Sequence, residues 1–401
     1  MFQNQYQKNK SGTRLWVYLI GGMAVLCMAL FGVLVILPAA SPASGAQTAD
    51  LLRAVAGPQP VADLESFSFR IKDAIYQFIS AHNGGKVQIS LNQPVSIHPQ
   101  PPTARKQLQS STGPNQSTKD VTAPQASDVV SALPQIGWQA YGPTMNGEPL
   151  MAQTILTLDP QRPYAAIALV RIDLSRLKLH LMPGFLEPSH AANVVKAIPN
   201  MGMIPISDQS RLIAAFNGGF KAINGNYGMI VDGVTLLPAQ PGLATLAIYR
   251  DGHVNIGAWE GGISPTTDMI AFRQNCPLIV QNGQINQMVN VVNYVMWGNT
   301  IGNQDITWRT AVGITRDSRY LIYAVGNGTS VGTLAQALLE AGAYNGMQLD
   351  INQHYAHFVI YHPSGIPGSP LTAVQLLDQM EKDNNLYLTP HSRDYFYLTT
   401  Y

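Results

Sequence analysis

Two charged residues stand alone in long uncharged stretches of this chain. Arg309 is the only charge between Asp305 and Arg316, and Asp350 the only formal charge between Glu340 and Asp378. Asp350 ends an apolar run that follows a helical pattern. A carboxylate there is expensive to bury unless it is paired or functional, so it is read as a catalytic group. Arg309 opens the run WRTAVGI at 308–314. Its fork suits phosphate or carboxylate, with an edge-strand arginine paired to Asp305 as the plain alternative. A third segment, LIAAFNGGF at 212–220, carries an apolar strand to Asn217 and then into Gly218, Gly219 and Phe220. The glycines permit a turn or a close backbone approach to a ligand, and Asn217 supplies a neutral donor and acceptor. An ordinary strand-to-turn exit would use the same residues.

Three further features bear on chemistry. His354, His357 and His362 follow Asp350, and Asp350 with His354 and His357 offers a carboxylate and two imidazoles to a metal. On a strand, however, 354 and 357 point to opposite faces, which favours packed or surface histidines and no cofactor. Residues 274–304 carry no charge but seven Asn and five Gln, with Tyr294 and Trp297. Aromatic faces among neutral amides suit a sugar, and a plain polar loop would look the same. Cys276, beside the apolar run 278–280, reads as a small buried hydrophobe rather than a nucleophile. Phosphate loops, dinucleotide fingerprints, HExxH and Gly-x-Ser-x-Gly patterns are absent from the sequence.

Taken in order, the three segments resemble the phosphodiester glycosidase family. That family includes the enzyme that uncovers mannose-6-phosphate by removing N-acetylglucosamine from a phosphodiester, and many exported bacterial relatives. Its pattern is an Asn-Gly-Gly-Phe-Phe-like turn, an Arg-Thr-Ala-Val/Ile-Gly strand, a helix, and Leu-Asp-Gly-Gly-Gly-Ser. AFNGGF at 215–220 and WRTAVGI at 308–314 match the first two. GMIVDG at 228–233, YRDG at 249–252, LIVQNG at 278–283 and TLAQALLEAGA from Thr333 fit between and after them, and the likeness covers about residues 150–362. The resemblance implies catalytic roles for Asp350, Arg309 and Asn217. It implies substrate contacts at Gly218, Gly219, Phe220 and Thr310, to which His354 and Trp297 are added from the features above. Two departures stand out. Ile351-Asn352-Gln353 replace the glycine triplet, and Lys221 stands where a second aromatic is common.

These residues need elements to position them. From about Trp138, short apolar runs alternate with Gly, Asn and Asp turns. Strands are expected at 165–172, 177–182, 212–216, 228–231, 244–249, 278–280, 310–315 and 320–325. Asp232-Gly233, Asp251-Gly252 and Asn282-Gly283 mark hairpins. Helices are expected after Ser189, from Thr333 to near Gly342, and over Leu371–Met380. The fold class is α+β, a mixed and largely antiparallel β-sheet core with a few helices, preceded by one N-terminal transmembrane helix.

Residues 15–37 are 23 residues without a charge, enough to span a bilayer core of about 30 Å. Lys8, Lys10 and Arg14 precede them, which keeps residues 1–14 cytoplasmic and the rest outside. A cleaved signal peptide is the rival, since small residues follow the run. Residues 50–92 hold one helix, with Phe67, Ile71, Ala74, Ile75 and Phe78 on a face that could pack on the main domain or self-associate. Residues 93–134 are a flexible Pro/Gln/Ser/Thr linker, and 135–401 the glycosidase-like domain. The chain has 24 Lys+Arg, 23 Asp+Glu and only 12% charged residues, which leaves no electrostatic footprint for nucleic acid. The expectation is a membrane-anchored, extracytoplasmic hydrolase of sugar-1-phosphodiesters or related cell-surface glycans. The alternatives are a degenerate glycan-binding or envelope-scaffold protein and a metal-dependent hydrolase. The second carboxylate that glycoside hydrolysis requires is sought among Glu260, Asp232 and Asp305.

Overall fold

The computed structural model describes residues 42–84, 89–92, 136–188, 198, 201–291, 296–298, 306–363 and 371–401. The hydrophobic segment 15–37, the linker 93–134, Tyr294, Asp305 and the helix expected after Ser189 lie outside the described residues. Among the described residues no helix is long and apolar enough to cross a membrane.

Two helices come first, α1 (Pro42–Ala56) and α2 (Pro58–Asn83), where the sequence suggested one. Gly57, at φ 85°, breaks the run, and Pro58 starts α2 where its missing N–H is not needed. Beyond them the chain is strand-rich and every strand pair is antiparallel.

The largest sheet runs β1 (Gln139–Met145), β2 (Glu148–Leu156), β3 (Ile167–Asp173), β14 (Tyr320–Thr329), β13 (Thr307–Ile314), β15 (Asn345–Gln348), β11 (Val280–Gln281) and β12 (Gln284–Ile285). A second has the order β7 (Val234–Leu237), β6 (Met229–Val231), β10 (Met269–Gln274), β8 (Ala244–Tyr249) and β9 (Val254–Ala258). A third has β17 (Leu371–Gln375), β16 (Phe358–Pro363), β5 (Leu212–Asn217), β18 (Tyr395–Thr400) and β4 (Leu177–Met182). A single turn, α3 (Ile206–Gln209), and the longer α4 (Val331–Glu340) complete the set.

The central strands of the large sheet, β3, β14 and β13, are buried on both faces, which is why they read as nearly unbroken apolar runs. Period-two alternation divides them. Leu321, Tyr323 and Val325 of β14 join the main core against the other two sheets, while Ile322 and Ala324 face α4 with Leu334 and Leu338. On β13 the same parity puts Val312 and Ile314 in the main core and Ala311 on the α4 side.

Turn chemistry follows the sequence. Asp232-Gly233 and Asn282-Gly283 both take left-handed backbone at their two central positions and close β6–β7 and β11–β12. Leu371–Met380 is a correction. Leu371–Gln375 is a strand paired to β16, with Tyr361 opposite Ala373, and not a helix. So short an apolar run satisfies either period, and the β-branched Thr372 and Val374 suit the edge of a sheet.

Phe216 sits where the layers meet. It is fully buried, stacked on Phe358 and Phe396 at 6.0 and 5.2 Å, and tilted against Tyr323 at 5.3 Å. Phe216→Ala is expected to lower unfolding free energy by about 3–5 kcal/mol in equilibrium urea denaturation. A loss under about 1 kcal/mol would show that these layers do not share one core.

Candidate active site

The turn after β5 is shaped by a buried ion pair that the sequence reading did not find. Arg273 on β10 donates from Nε to Asp394 at 2.8 Å, with both side chains fully buried. Its other donors reach the carbonyls of Phe220 (2.6 Å), Tyr227 (3.0 Å) and Gln274 (2.9 Å). Asp394 also accepts the Gly219 N–H at 3.1 Å. A Cβ on Gly218 would collide with the Asp394 carboxylate, and one on Gly219 would lie 3.0 Å from the Arg273 guanidinium carbon. Neither glycine has positive φ, so what they provide is space for the ion pair.

Asn217, one residue earlier, is buried and ties three strands together. Its Nδ2 donates to Thr310 Oγ1 at 2.9 Å, and its Oδ1 accepts the Tyr323 hydroxyl at 2.9 Å and the His357 N–H at 3.3 Å. Thr310 passes the tie on. Its hydroxyl donates to the Asp350 carbonyl at 2.7 Å and its N–H to the same oxygen at 3.1 Å. Asn217 and Thr310 therefore act on the main chain beneath Asp350, not on the open side.

The Asp350 side chain lines a pocket of about 440 Å³. Its Oδ2 accepts from Arg393 at 2.5 Å and its Oδ1 from the Asn352 N–H at 2.8 Å. Arg393 also donates to the Gly219 carbonyl at 2.8 Å and lies 4.3 Å above the Tyr355 ring. Burial opposes its charge, but Asp350 and Asp394 more than offset that and raise its pKa above the ordinary arginine value. Its buried Nε has no acceptor among the described residues.

The opposite wall comes from α2, whose Glu65, Ser68, Phe69, Lys72, Asp73 and Tyr76 line the pocket. Their spacing of three and one is a single helix face. Arg53 of α1 clamps Glu65 at 2.6 and 2.7 Å, and burial raises the Glu65 pKa. Lys72 makes no ion pair among the described residues, and burial lowers its pKa.

The remaining expected site residues, Phe220 apart, lie elsewhere. Arg309 faces α4, fully buried, and donates to the carbonyls of Trp297 (3.1 Å) and Thr329 (3.2 Å) and to Gln348 Oε1 (2.8 Å). It does not line the pocket. Strand alternation accounts for this, since Thr310 takes the site side.

Trp297 is buried and donates its indole N–H to the Pro277 carbonyl at 2.9 Å, although Met296 and Gly298 beside it do line the pocket. Gly218 and Gly219 stay behind the pocket and Phe220 lines it. His354 donates to Glu381 at 2.5 Å and His357 to the His354 carbonyl at 2.7 Å, so neither imidazole joins Asp350. No group of three or more His, Cys, Asp and Glu among the described residues is disposed to hold a metal ion. Cys276 is fully buried and its thiol is pushed up to about 12. Of the proposed second carboxylates, Asp232 and Glu260 are exposed turn residues; the pocket's other acids are Glu65 and Asp73.

Burial holds the His357 imidazole down to about 3 and that of His180 to about 4. The buried Nδ1 of His357 has no partner, so protonating it would strand a charge. Both pKa values are depressed, so the unfolded chain binds more protons below about pH 6.5. Their stabilisation is complete above that pH and is lost as pH falls towards 4 and then 3. Thermal melting should show Tm dropping through this window, with a shallower slope in His357→Gln. An unchanged slope would remove His357 from the account.

Comparison with known proteins agrees with the motif order. The sequence model of the phosphodiester glycosidase family matches residues 210–350. No curated protein sequence matches the chain. Among solved structures, the catalytic domain of zebrafish N-acetylglucosamine-1-phosphodiester alpha-N-acetylglucosaminidase, described as auto-inhibited by pro-peptide, is similar at 17% identity and a TM-score of 0.39. That match covers 66% of this chain and 87% of the zebrafish one. A hypothetical protein from Synechocystis is similar at 10% identity and a TM-score of 0.30, over 63% of this chain and 62% of its own. The matched segment runs from the strand before the Asn-Gly-Gly-Phe turn to Asp350, and residues 210–350 carry the sequence pattern of the phosphodiester glycosidase family.

Proposed function

We propose that the chain is an exported, membrane-anchored glycoside hydrolase that cleaves sugar-1-phosphodiesters or related cell-surface glycan bonds. The observation that carries this reading is the pairing of Asp350, at the end of the family-matched segment, with Arg393 on the wall of a pocket of about 440 Å³. Cleavage at an anomeric carbon passes through an oxocarbenium-like transition state, which a carboxylate beside the ring stabilises. Asp350 takes that part, oriented by Arg393 and by the Asn352 N–H. The leaving phosphate needs cations. Arg309 is engaged on the α4 side, so the role falls to Arg393 and to Lys72 across the pocket, both of which line it.

Free-sugar release from a panel of sugar-1-phosphodiesters tests this. Asp350→Asn is expected to lower kcat by about 10²–10⁴ with folding intact by circular dichroism. Lys72→Gln should raise KM about tenfold with little change in kcat, a loss of roughly 1.4 kcal/mol of binding. Turnover that is indifferent to both substitutions would sink the assignment.

One observation favours a second reading, a glycan-binding protein without turnover. Both Asp350 oxygens already have partners, and Ile351-Asn352-Gln353 stand where the family has glycines. Glycan affinity by calorimetry, with no sugar released from any phosphodiester, would select it.

A further inference from the structure

Helix α2 has two unlike faces. The side that lines the pocket is mostly polar and is fastened to the domain by charge. Asp73 accepts from Arg162 at 2.7 and 2.8 Å and from the Tyr164 hydroxyl at 2.9 Å, and Lys221 donates to Asp50 of α1. At about 3.6 residues per turn, Phe67 and Phe78 fall roughly opposite that side, Ile75 about a quarter-turn from it, and Ile79 in line with Ser68 and Lys72 but beyond the pocket. Phe67 and Phe78 are 55% and 66% exposed, and Ile75 and Ile79 are exposed with them. Helix α1 adds Leu51 at 67% and Val55 at 81%, one turn apart. Of the face that the sequence offered for packing on the domain or for self-association, Phe67, Ile75 and Phe78 are exposed. Six large apolar side chains exposed on two consecutive helices are unusual for a free surface, where apolar residues are normally scattered.

The sequence limits what can cover this face. The uncharged run ends at Leu37 and α1 begins at Pro42, so four residues join them. Fully extended, that link reaches no more than about 18 Å. If residues 15–37 span a bilayer, α1 begins within about 18 Å of its surface. A helix with one apolar and one polar face in that position lies in the interface, its apolar side sunk among headgroups and upper acyl chains.

We propose that the exposed apolar face of α1 and α2 rests on the lipid surface, with Leu51, Val55, Phe67, Ile75, Phe78 and Ile79 in contact with it. This inference rests on the membrane anchor of the proposed function. The helix that walls the pocket would then also dock the domain on the membrane.

Site-directed spin labelling of the full chain tests this in phosphatidylcholine/phosphatidylglycerol vesicles. Nitroxides are attached through Phe67→Cys, Ile75→Cys and Phe78→Cys on a Cys27→Ser background; the remaining Cys276 is fully buried. Leu30→Cys reports the anchor, and Asp251→Cys, at an exposed turn, reports water. The expected result is an oxygen-to-nickel accessibility ratio several-fold higher at 67, 75 and 78 than at 251, and highest at 30. Ratios at 67, 75 and 78 equal to that at 251, with the label at 30 in lipid, would overturn the inference and leave the anchor standing. A label at 30 in water would overturn both. Spin–spin broadening at 67 and 78 that persists on dilution with lipid would assign the face to a second copy instead.

Discussion

The arrangement around the pocket depends on one buried ion pair, Arg273–Asp394. Two unscreened charges inside a protein are costly unless each remaining donor and acceptor is met, and here they are met by main chain. Arg273 holds the carbonyls of Phe220, Tyr227 and Gln274, and Asp394 holds the Gly219 N–H. The pair therefore joins β10 of one sheet to the start of β18 in another and fixes the turn between β5 and Phe220. Removing either partner would leave an uncompensated buried charge, at a cost of about 3–5 kcal/mol. Volume constrains the turn as strictly as charge does. The space that Gly218 and Gly219 leave is filled by the carboxylate and guanidinium.

A second ion pair follows from the first. Arg393 precedes Asp394, so fixing Asp394 fixes the start of β18 and brings Arg393 over Asp350 and Tyr355. Adjacent residues on an extended chain diverge, and these two serve different partners on different sides of the turn. Asn217 and Thr310 support Asp350 from beneath through its carbonyl. The motif residues of the sequence thus build the floor of the site, while charge from Arg393, just before β18, and from α2 faces the pocket.

Much of this was legible in the sequence, and the misses have physical causes. Scarcity of charge located Asp350 and Arg309. The same argument applied further would have located the rest. Arg273 is the only charge between Asp268 and Asp305, and Arg393-Asp394 the only charges after Asp383. The direction of Arg309 was missed because a strand presents alternate residues to opposite faces, and only the register of β13 against β14 and β15 decides which face holds the site. Strand positions and hairpin turns were readable because apolar runs and Asp-Gly or Asn-Gly pairs act locally. The run after Leu371 was not, because its strand exists through pairing with β16. Nothing local announced that α2 would turn its polar face inward. That depends on Arg162 and Tyr164, which hold Asp73 and are distant from it in sequence.

The departures from the family pattern gain a physical account from that docking. Lys221, in place of an aromatic, pairs with Asp50 of α1 and lies 5.6 Å from the Tyr355 ring. Tyr355 belongs to the segment that follows the replaced glycines, and it packs under Arg393 as well. A glycine triplet would give the backbone freedom but no side chain for α2 to meet, whereas Ile351, Asn352 and Gln353 line the pocket that α2 closes. Both substitutions therefore fall where the helical hairpin meets the domain. The pocket of this chain is a joint product of the two parts, and the hairpin's contribution is bought with polar contacts. That leaves its apolar side chains outside, where only a second surface can shield them from water.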